Sequence, residues 1–198
     1  ASSISGGDET VNGYLGLRGF RTAGIHISEN GGENDGYKNM TLNSSVNVKP
    51  FELLELSGTL RYVDAELQYD DFGAVSDSDG FIIPNDADEV DERTSLSGRA
   101  QAKLTLFDGM FENTVGYSGL RTTSKTKSDG DETFNFNAQT NTVDYQGNVF
   151  FDTPAFADAS HALTFVYERQ QQTGDNFSSF VGYSNFDSII NTGYAAEY

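Results

Sequence analysis

The fold is decided by the stretch Leu96-Ser97-Gly98-Arg99-Ala100-Gln101-Ala102-Lys103-Leu104-Thr105-Leu106, where apolar or small residues alternate with polar or charged ones at every position. A period of two places the two kinds of side chain on opposite faces of a β-strand, and no helical spacing fits it. The same alternation recurs, more weakly in places, in residues 11–21, 39–49, 54–62, 111–121, 143–151, 161–169 and 189–198. We therefore predict eight strands. Their lengths suit the nine to eleven residues of a tilted membrane-spanning strand better than the five or six that are typical of soluble proteins.

The connections between these strands are of two kinds. Three are short, at Lys49–Glu52, Phe107–Met110 and Asp152–Ser160, and four are long, at 22–37, 66–92, 122–140 and 170–188. Short and long connections alternate, so that all the long ones emerge at one end of an up-and-down sheet. Outer-membrane β-barrels show this arrangement, with short periplasmic turns and long extracellular loops.

Charge and composition exclude several classes of function. The net charge is -18, and the four long connections contain 18 of the 30 acidic residues but only two basic ones, Lys125 and Lys127. Because a nucleic-acid-binding surface needs a basic stripe, we expect no nucleic-acid partner. The chain has no cysteine, which excludes disulfides and thiolate metal sites.

The alternation does not say which face is inside. A soluble, lipocalin-like barrel has the same period with its apolar face inward. Here the polar face carries Arg61, Arg99 and Lys103, aromatic residues cluster near strand ends, and tryptophan is absent. These features favour a membrane barrel whose apolar face meets lipid.

Several segments resemble TonB-dependent outer-membrane receptors, in particular the vitamin B12 (cobalamin) transporter-like branch. The segments that carry the resemblance, in chain order, are Glu33–Asn39, Leu60–Asp64, Gln68–Gly73, Leu96–Arg99, Thr105–Gly109, Asp144–Gly147, His161–Phe165 and Asn191–Tyr198. None is specific alone, but their order and spacing cover nearly the whole chain.

The resemblance implies a 22-stranded barrel filled by an N-terminal plug that contacts TonB through a short box. Neither plug nor box is found in the sequence. Residues 1–198 are therefore interpreted as a single segment of about eight strands from an outer-membrane barrel domain, and an intact eight-stranded barrel is the alternative. The implied partners are outer-membrane lipid, a small organometallic ligand and, through the plug, TonB.

The acidic connections are the candidate site. Residues 66–92 contain ten carboxylates, which suit the hard oxygen ligands of calcium, but no EF-hand is present. A solvated, mobile, self-repelling loop is the alternative. The resemblance implies calcium ligands at Glu33, where the family has Asp, and at Asp35 and Asp70. Ligand contacts are expected from the aromatic residues of these connections, Tyr69, Phe72, Phe81 and Tyr183.

Catalysis has little support in the sequence. The two histidines are His26, in a long connection, and His161, beside a short one, so they lie at opposite ends of the predicted barrel. No serine near either histidine lies in a nucleophile turn, and we expect no enzymatic activity. Three hypotheses remain: a TonB-dependent uptake receptor for a vitamin B12-like or iron-siderophore ligand, a small structural or adhesive barrel, and a soluble lipid-binding barrel.

Overall fold

The computed structural model describes residues 1–25, 34–71, 85–153 and 159–198, with only the backbone given for residues 71, 85, 86 and 184–187. Nine antiparallel strands form one sheet in which every strand pairs with its neighbours in sequence. They are β1 Ser2–Gly7, β2 Val11–Thr22, β3 Tyr37–Phe51, β4 Leu54–Asp71, β5 Asn85–Leu106, β6 Phe111–Ser128, β7 Asp131–Asp152, β8 Ser160–Ser178 and β9 Gly182–Glu197. The predicted all-β, up-and-down fold is confirmed.

All eight predicted strands are present, as β2 to β9, and one strand was missed. Strand β1 pairs with β2 from Ser2↔Leu17 to Gly7↔Asn12. Its sequence contains one large apolar residue, Ile4, so that it carries almost no alternation. Within the described residues β1 and β9 each have one partner strand, and the sheet is open.

Two of the four predicted long connections are wrong. Strands β6 and β7 continue through 122–140 and meet at Asp129 and Gly130, whose φ angles of 50° and 85° build a tight turn. Strands β8 and β9 likewise continue through 170–188 and turn before Gly182. In the β6 and β8 extensions almost all residues on both faces are polar, so the apolar alternation that marks a strand fades although the hydrogen-bonded ladder continues. In β7, by contrast, Phe134 and Phe136 alternate with Asn135 and Asn137, a strand signal that the prediction missed.

The other connections agree more closely with prediction. The 22–37 connection has the predicted ends, since β2 ends at Thr22 and β3 begins at Tyr37. The 66–92 connection is wrong at both ends, because residues up to Asp71 and from Asn85 belong to strands. The short turn at Phe107–Met110 is confirmed by a 3.0 Å hydrogen bond from Met110 N to Phe107 O. Strand β3 runs three residues into the turn predicted at Lys49–Glu52.

The described residues contain no helix of the length and hydropathy that a membrane span requires.

Candidate functional site

The two faces of the sheet differ in chemistry. We call outer face the side that carries Leu56, Tyr62, Leu96 and Val115, which share one side through the strand register. The inner face is the opposite side. Near the short turns, the outer face carries a zone of apolar and small residues, interrupted by Asn113 of β6. On β2 to β7 the zone is about nine residues long, the span that a tilted membrane strand needs. We call this zone the apolar band.

The edge of the apolar band runs obliquely across the sheet. One hydrogen-bonded row, from β2 to β8, reads Leu17, Leu42, Tyr62, Leu96, Arg121, Gln139 and Thr173. This row changes from apolar to polar residues between Leu96 of β5 and Arg121 of β6, where it crosses the edge of the apolar band. We call the strand connections opposite the short turns the long hairpins. The row two residues nearer the long hairpins crosses the edge of the apolar band between Met40 of β3 and Asp64 of β4. The row four residues nearer the short turns stays apolar until Val143 of β7 and reaches Arg169 on β8.

The shift of the edge along the strands, from one strand to the next, gives the angle between the strands and the edge. With a rise of about 3.3 Å per residue and about 4.8 Å between strands, it corresponds to strands inclined by roughly 45° to the edge of the band. Strands of membrane barrels are inclined by about 35–45° to the membrane normal. When strands are tilted as in a barrel, the edge of the apolar band is therefore perpendicular to the barrel axis, although it is oblique to the rows of hydrogen-bonded residues.

The apolar side chains of the band are not packed in a core. Among the described residues, none of the hydrophobic side chains is buried, and the large exposed ones include Leu15, Leu60, Leu96, Val115 and Phe165. The accessible surface of the chain is 13348 Å², against about 9,000 Å² for a compact monomer of this mass. The described residues leave this apolar surface uncovered.

The inner face is concave and polar. Side chains from six consecutive strands line one cavity of about 650 Å³, among them Asn43, Arg61, Arg99, Thr142 and Gln170. Contributions from β3 and β8 to the same space require the sheet to curl with this face inward. A sheet curled in this way has the opposite polarity to a soluble barrel with an apolar interior.

The inner face also carries a charge pair that spans a strand. The Arg99 guanidinium of β5 donates two hydrogen bonds of 2.7 Å to the carboxylate of Asp144 on β7. Between them, β6 presents Gly116, where a Cβ atom would clash with both partners. Arg99 also donates to Gln101 Oε1, and Arg61 donates to Asn43.

Three acidic residues of the long hairpins are in ion pairs. Glu66 binds Lys38, Glu92 binds Lys127, and Glu132 binds Lys125, with N–O distances between 2.6 and 2.9 Å. The hydrogen bond from Lys125, followed by one from Asn135, lowers the pKa of Glu132, and the bond to Glu132 raises the pKa of Lys125. In 66–92, for which a mobile, self-repelling loop was the alternative, the described residues 66–71 and 85–92 therefore belong to strands, and two of their carboxylates are ion-paired.

The candidate calcium ligands are only partly described. Asp70 is 1% exposed, and neither carboxylate oxygen has a hydrogen-bond partner in the described part of the chain. A hydrogen bond of 2.9 Å from Gln68 N to Gly36 O brings the segment of Asp35 beside that of Asp70. Glu33 lies outside the described residues, and the described residues contain no cluster of three metal-ligating side chains. A buried carboxylate without a donor suits a cation, since burial of an uncompensated charge is costly.

Two of the four candidate ligand-facing aromatic residues, Tyr69 and Tyr183, are described, and both lie at the same end as Asp70. Tyr69 belongs to β4 and pairs with Glu89 of β5. Tyr183 is largely exposed beside the β8–β9 turn, with its ring 5.1 Å from that of Phe177. Phe72 and Phe81 lie outside the described residues, so the structure does not bring the four together.

Histidine His161 lies at the end with the short turns. Its Nδ1 is 2.6 Å from the Tyr198 hydroxyl, and its Nε2 is 2.7 Å from Thr153 Oγ1. Its ring also stacks against those of Phe151 and Tyr198. These contacts give it a structural role; His26 lies outside the described residues.

No protein-family model matches the sequence, and no curated protein matches it.

Proposed function

We propose that this chain is part of the wall of an outer-membrane β-barrel. One observation carries the proposal: an apolar band on the convex face whose edge is inclined to the strands by roughly the tilt of membrane barrels. In a sheet surrounded by water, nothing would favour an apolar band of limited height, since the whole outer face would contact water. The absence of a buried apolar core among the described residues supports the same environment.

The two alternatives fit less well. A soluble lipid-binding barrel needs an apolar interior, but the concave face carries Arg61, Arg99 and Thr142. A complete small barrel needs its first and last strands to pair, and within the described residues β1 and β9 do not. Open edges are prohibitive in lipid, because unpaired backbone groups there find no water. Further strands on both edges, as in a 22-stranded barrel, would remove them.

Within that setting we assign the chain to a TonB-dependent uptake receptor for a vitamin B12-like or iron-siderophore ligand. The support is the resemblance of its segments to that family. The long hairpins at one end would receive the ligand, with Tyr69 and Tyr183 as candidates to contact it. The polar inner face would meet the plug, through which TonB acts.

Calcium is proposed as a stabiliser of the ligand-receiving end. Asp70 is the residue that supports it, because its buried carboxylate lacks a donor and lies beside the segment of Asp35. Calcium takes six to eight oxygen ligands, so that residues beyond these two, and water, would have to complete the shell.

The uptake proposal is tested in cells that lack their own cobalamin receptor. The gene that encodes this chain is expressed there, and accumulation of labelled cyanocobalamin and of ferric siderophores is measured with and without TonB. We expect accumulation of one ligand class that disappears without TonB. Uptake of neither class, or uptake that is indifferent to TonB, would contradict the receptor assignment but leave the membrane assignment standing.

A further inference from the structure

A groove crosses the outer face near the hairpin edge of the apolar band. Gly98 of β5 and Gly119 of β6 lie directly opposite each other in the register and leave its floor without side chains. Leu60, Leu96 and Tyr117 form its walls, and the cavity has a volume of about 440 Å³. All three wall residues are about half exposed. The groove is therefore mostly apolar, with Gln139 and Asn141 on its β7 side, and it is open to the surroundings of the barrel.

Arg121 closes the hairpin end of this groove. All five lysines of the chain are in ion pairs, and Arg99 is paired with Asp144. Within the described residues Arg121 has neither an ion pair nor a hydrogen bond, and its neighbours across the register are Leu96 and Gln139. Among the described residues, none of its neighbours on the outer face is a carboxylate.

We infer that this groove holds an acyl chain of a phosphorylated lipid, with the lipid phosphate against Arg121. The inference rests on the membrane location proposed above. The edge of the apolar band lies at the depth where acyl chains give way to headgroups. At this depth Arg121 meets lipid phosphate, and the apolar groove meets the acyl chains. An arginine fork is well suited to phosphate oxygens.

The net charge of the chain favours a lipid over a second copy of the chain as the occupant of the groove. A second copy would bring another net charge of -18 to a surface flanked by acidic hairpins, and nothing on the outer face beside the groove offers a carboxylate to Arg121. A free phosphate would leave the apolar walls exposed. A lipid satisfies both the cation and the walls with one molecule.

The test uses native mass spectrometry of the barrel expressed from the gene that encodes this chain and purified in detergent, with three lipids: lipid A with its phosphates, the same lipid after dephosphorylation, and phosphatidylcholine. We expect the phosphorylated lipid to be retained preferentially. Arg121→Gln should lower its retention about tenfold, as expected for the loss of one charge-assisted contact, without affecting the dephosphorylated lipid. Gly119→Val, which fills the floor where the nearest atom to a new Cβ is 3.6 Å away, should weaken both lipids.

Arg18→Gln is the matched control, because it removes an equal charge from the inner face. Equal retention by wild type and Arg121→Gln, or an equal loss in Arg18→Gln, would overturn the inference. So would displacement of the lipid by millimolar inorganic phosphate without loss in Gly119→Val, which would assign the site to a free anion. Insertion into phosphatidylcholine vesicles is measured in parallel. If every variant inserts but none prefers the phosphorylated lipid, the lipid site fails alone; if wild type does not insert, the membrane proposal fails as well.

Discussion

Arg99 and Asp144 join β5 to β7 across the intervening strand, with two hydrogen bonds of 2.7 Å. The bridge is possible because the strand between them carries Gly116, which leaves room for the guanidinium and the carboxylate. It ties three strands together from the inner face of a sheet in which none of the described hydrophobic side chains is buried.

Gly116→Val should break this bridge. A side chain at this position must displace Arg99 or Asp144, and because both are partly exposed we expect a loss of about 1–2 kcal/mol in the free energy of unfolding. Urea unfolding of the refolded protein measures it. Gly193→Val, on the same face with nothing within 4 Å of the new Cβ, is the control. An equal effect of both variants would mean that the bridge contributes nothing.

The tip of the β6–β7 hairpin should be ordered in a pH window set by Lys125 and Glu132. The pKa of Glu132 is lowered, so its contribution is present above the ordinary glutamate value of about 4.3 and is lost as pH falls through the lowered value. The pKa of Lys125 is raised, so its contribution is present below about 10.4 and is lost as pH rises through the raised value.

A spin label on a single cysteine at Ser128 reports this window as tip mobility. We expect mobility to rise at both extremes of pH, and Glu132→Gln should abolish the acid step. Glu55→Gln, which removes the 3.5 Å partner of Lys49 at the opposite end, should leave the tip unaffected. A tip whose mobility does not change between pH 3 and 7 in wild type would show that the ion pair does not order it.

Calcium should stabilise the wild-type chain through Asp70. At a calcium concentration about 100 times the dissociation constant, the gain is about 2.7 kcal/mol, or about 5–10 °C in the melting temperature for a chain of this size. Asp70→Asn should lose this response and, in chelator, be at least as stable as wild type because a buried charge is removed. Asp64→Asn, an exposed carboxylate of the same strand, should keep the response. A melting temperature that is unaffected by calcium in wild type would remove the calcium site.

A charge in the apolar band should block membrane insertion, whereas the same charge on the neighbouring residue should not. Leu56 lies on the outer face between Val48 and Ala102, and Ser57 lies on the inner face between Asn47 and Gln101. Leu56→Arg should cost about 2–4 kcal/mol, the cost of a cation in mid-bilayer. Ser57→Arg should cost little. Folding into vesicles, followed by the shift in electrophoretic mobility of unheated samples, measures both, and equal costs would argue against a lipid-facing Leu56.

Sequence alternation predicts the strands well where one face is apolar, as in Leu96–Leu106, and poorly beyond the band. In β6 the residues past Arg121 are polar on both faces, so that periodicity no longer identifies a strand there, whereas Phe134 and Phe136 of β7 keep an alternation that the prediction missed. The Asp129-Gly130 pair is a strong hairpin signal that should have indicated the β6–β7 turn. The oblique edge of the band and the Arg99–Asp144 bridge depend on strand register, which one sequence does not reveal. The burial of Asp70 also depends on strand register, whereas the acidic residues near it in the chain can be seen in the sequence.

The central claim is that the outer face lies in lipid over the band and in water beyond it. Because the chain has no cysteine, nitroxide labels can be placed one at a time along β4, and their accessibility to oxygen and to a water-soluble nickel complex can be measured in vesicles. We predict that even positions from Leu54 to Tyr62 favour oxygen, that odd positions favour nickel, and that both kinds favour nickel from Asp64 onward. Even positions that favour nickel throughout, or no change at Asp64, would contradict the account.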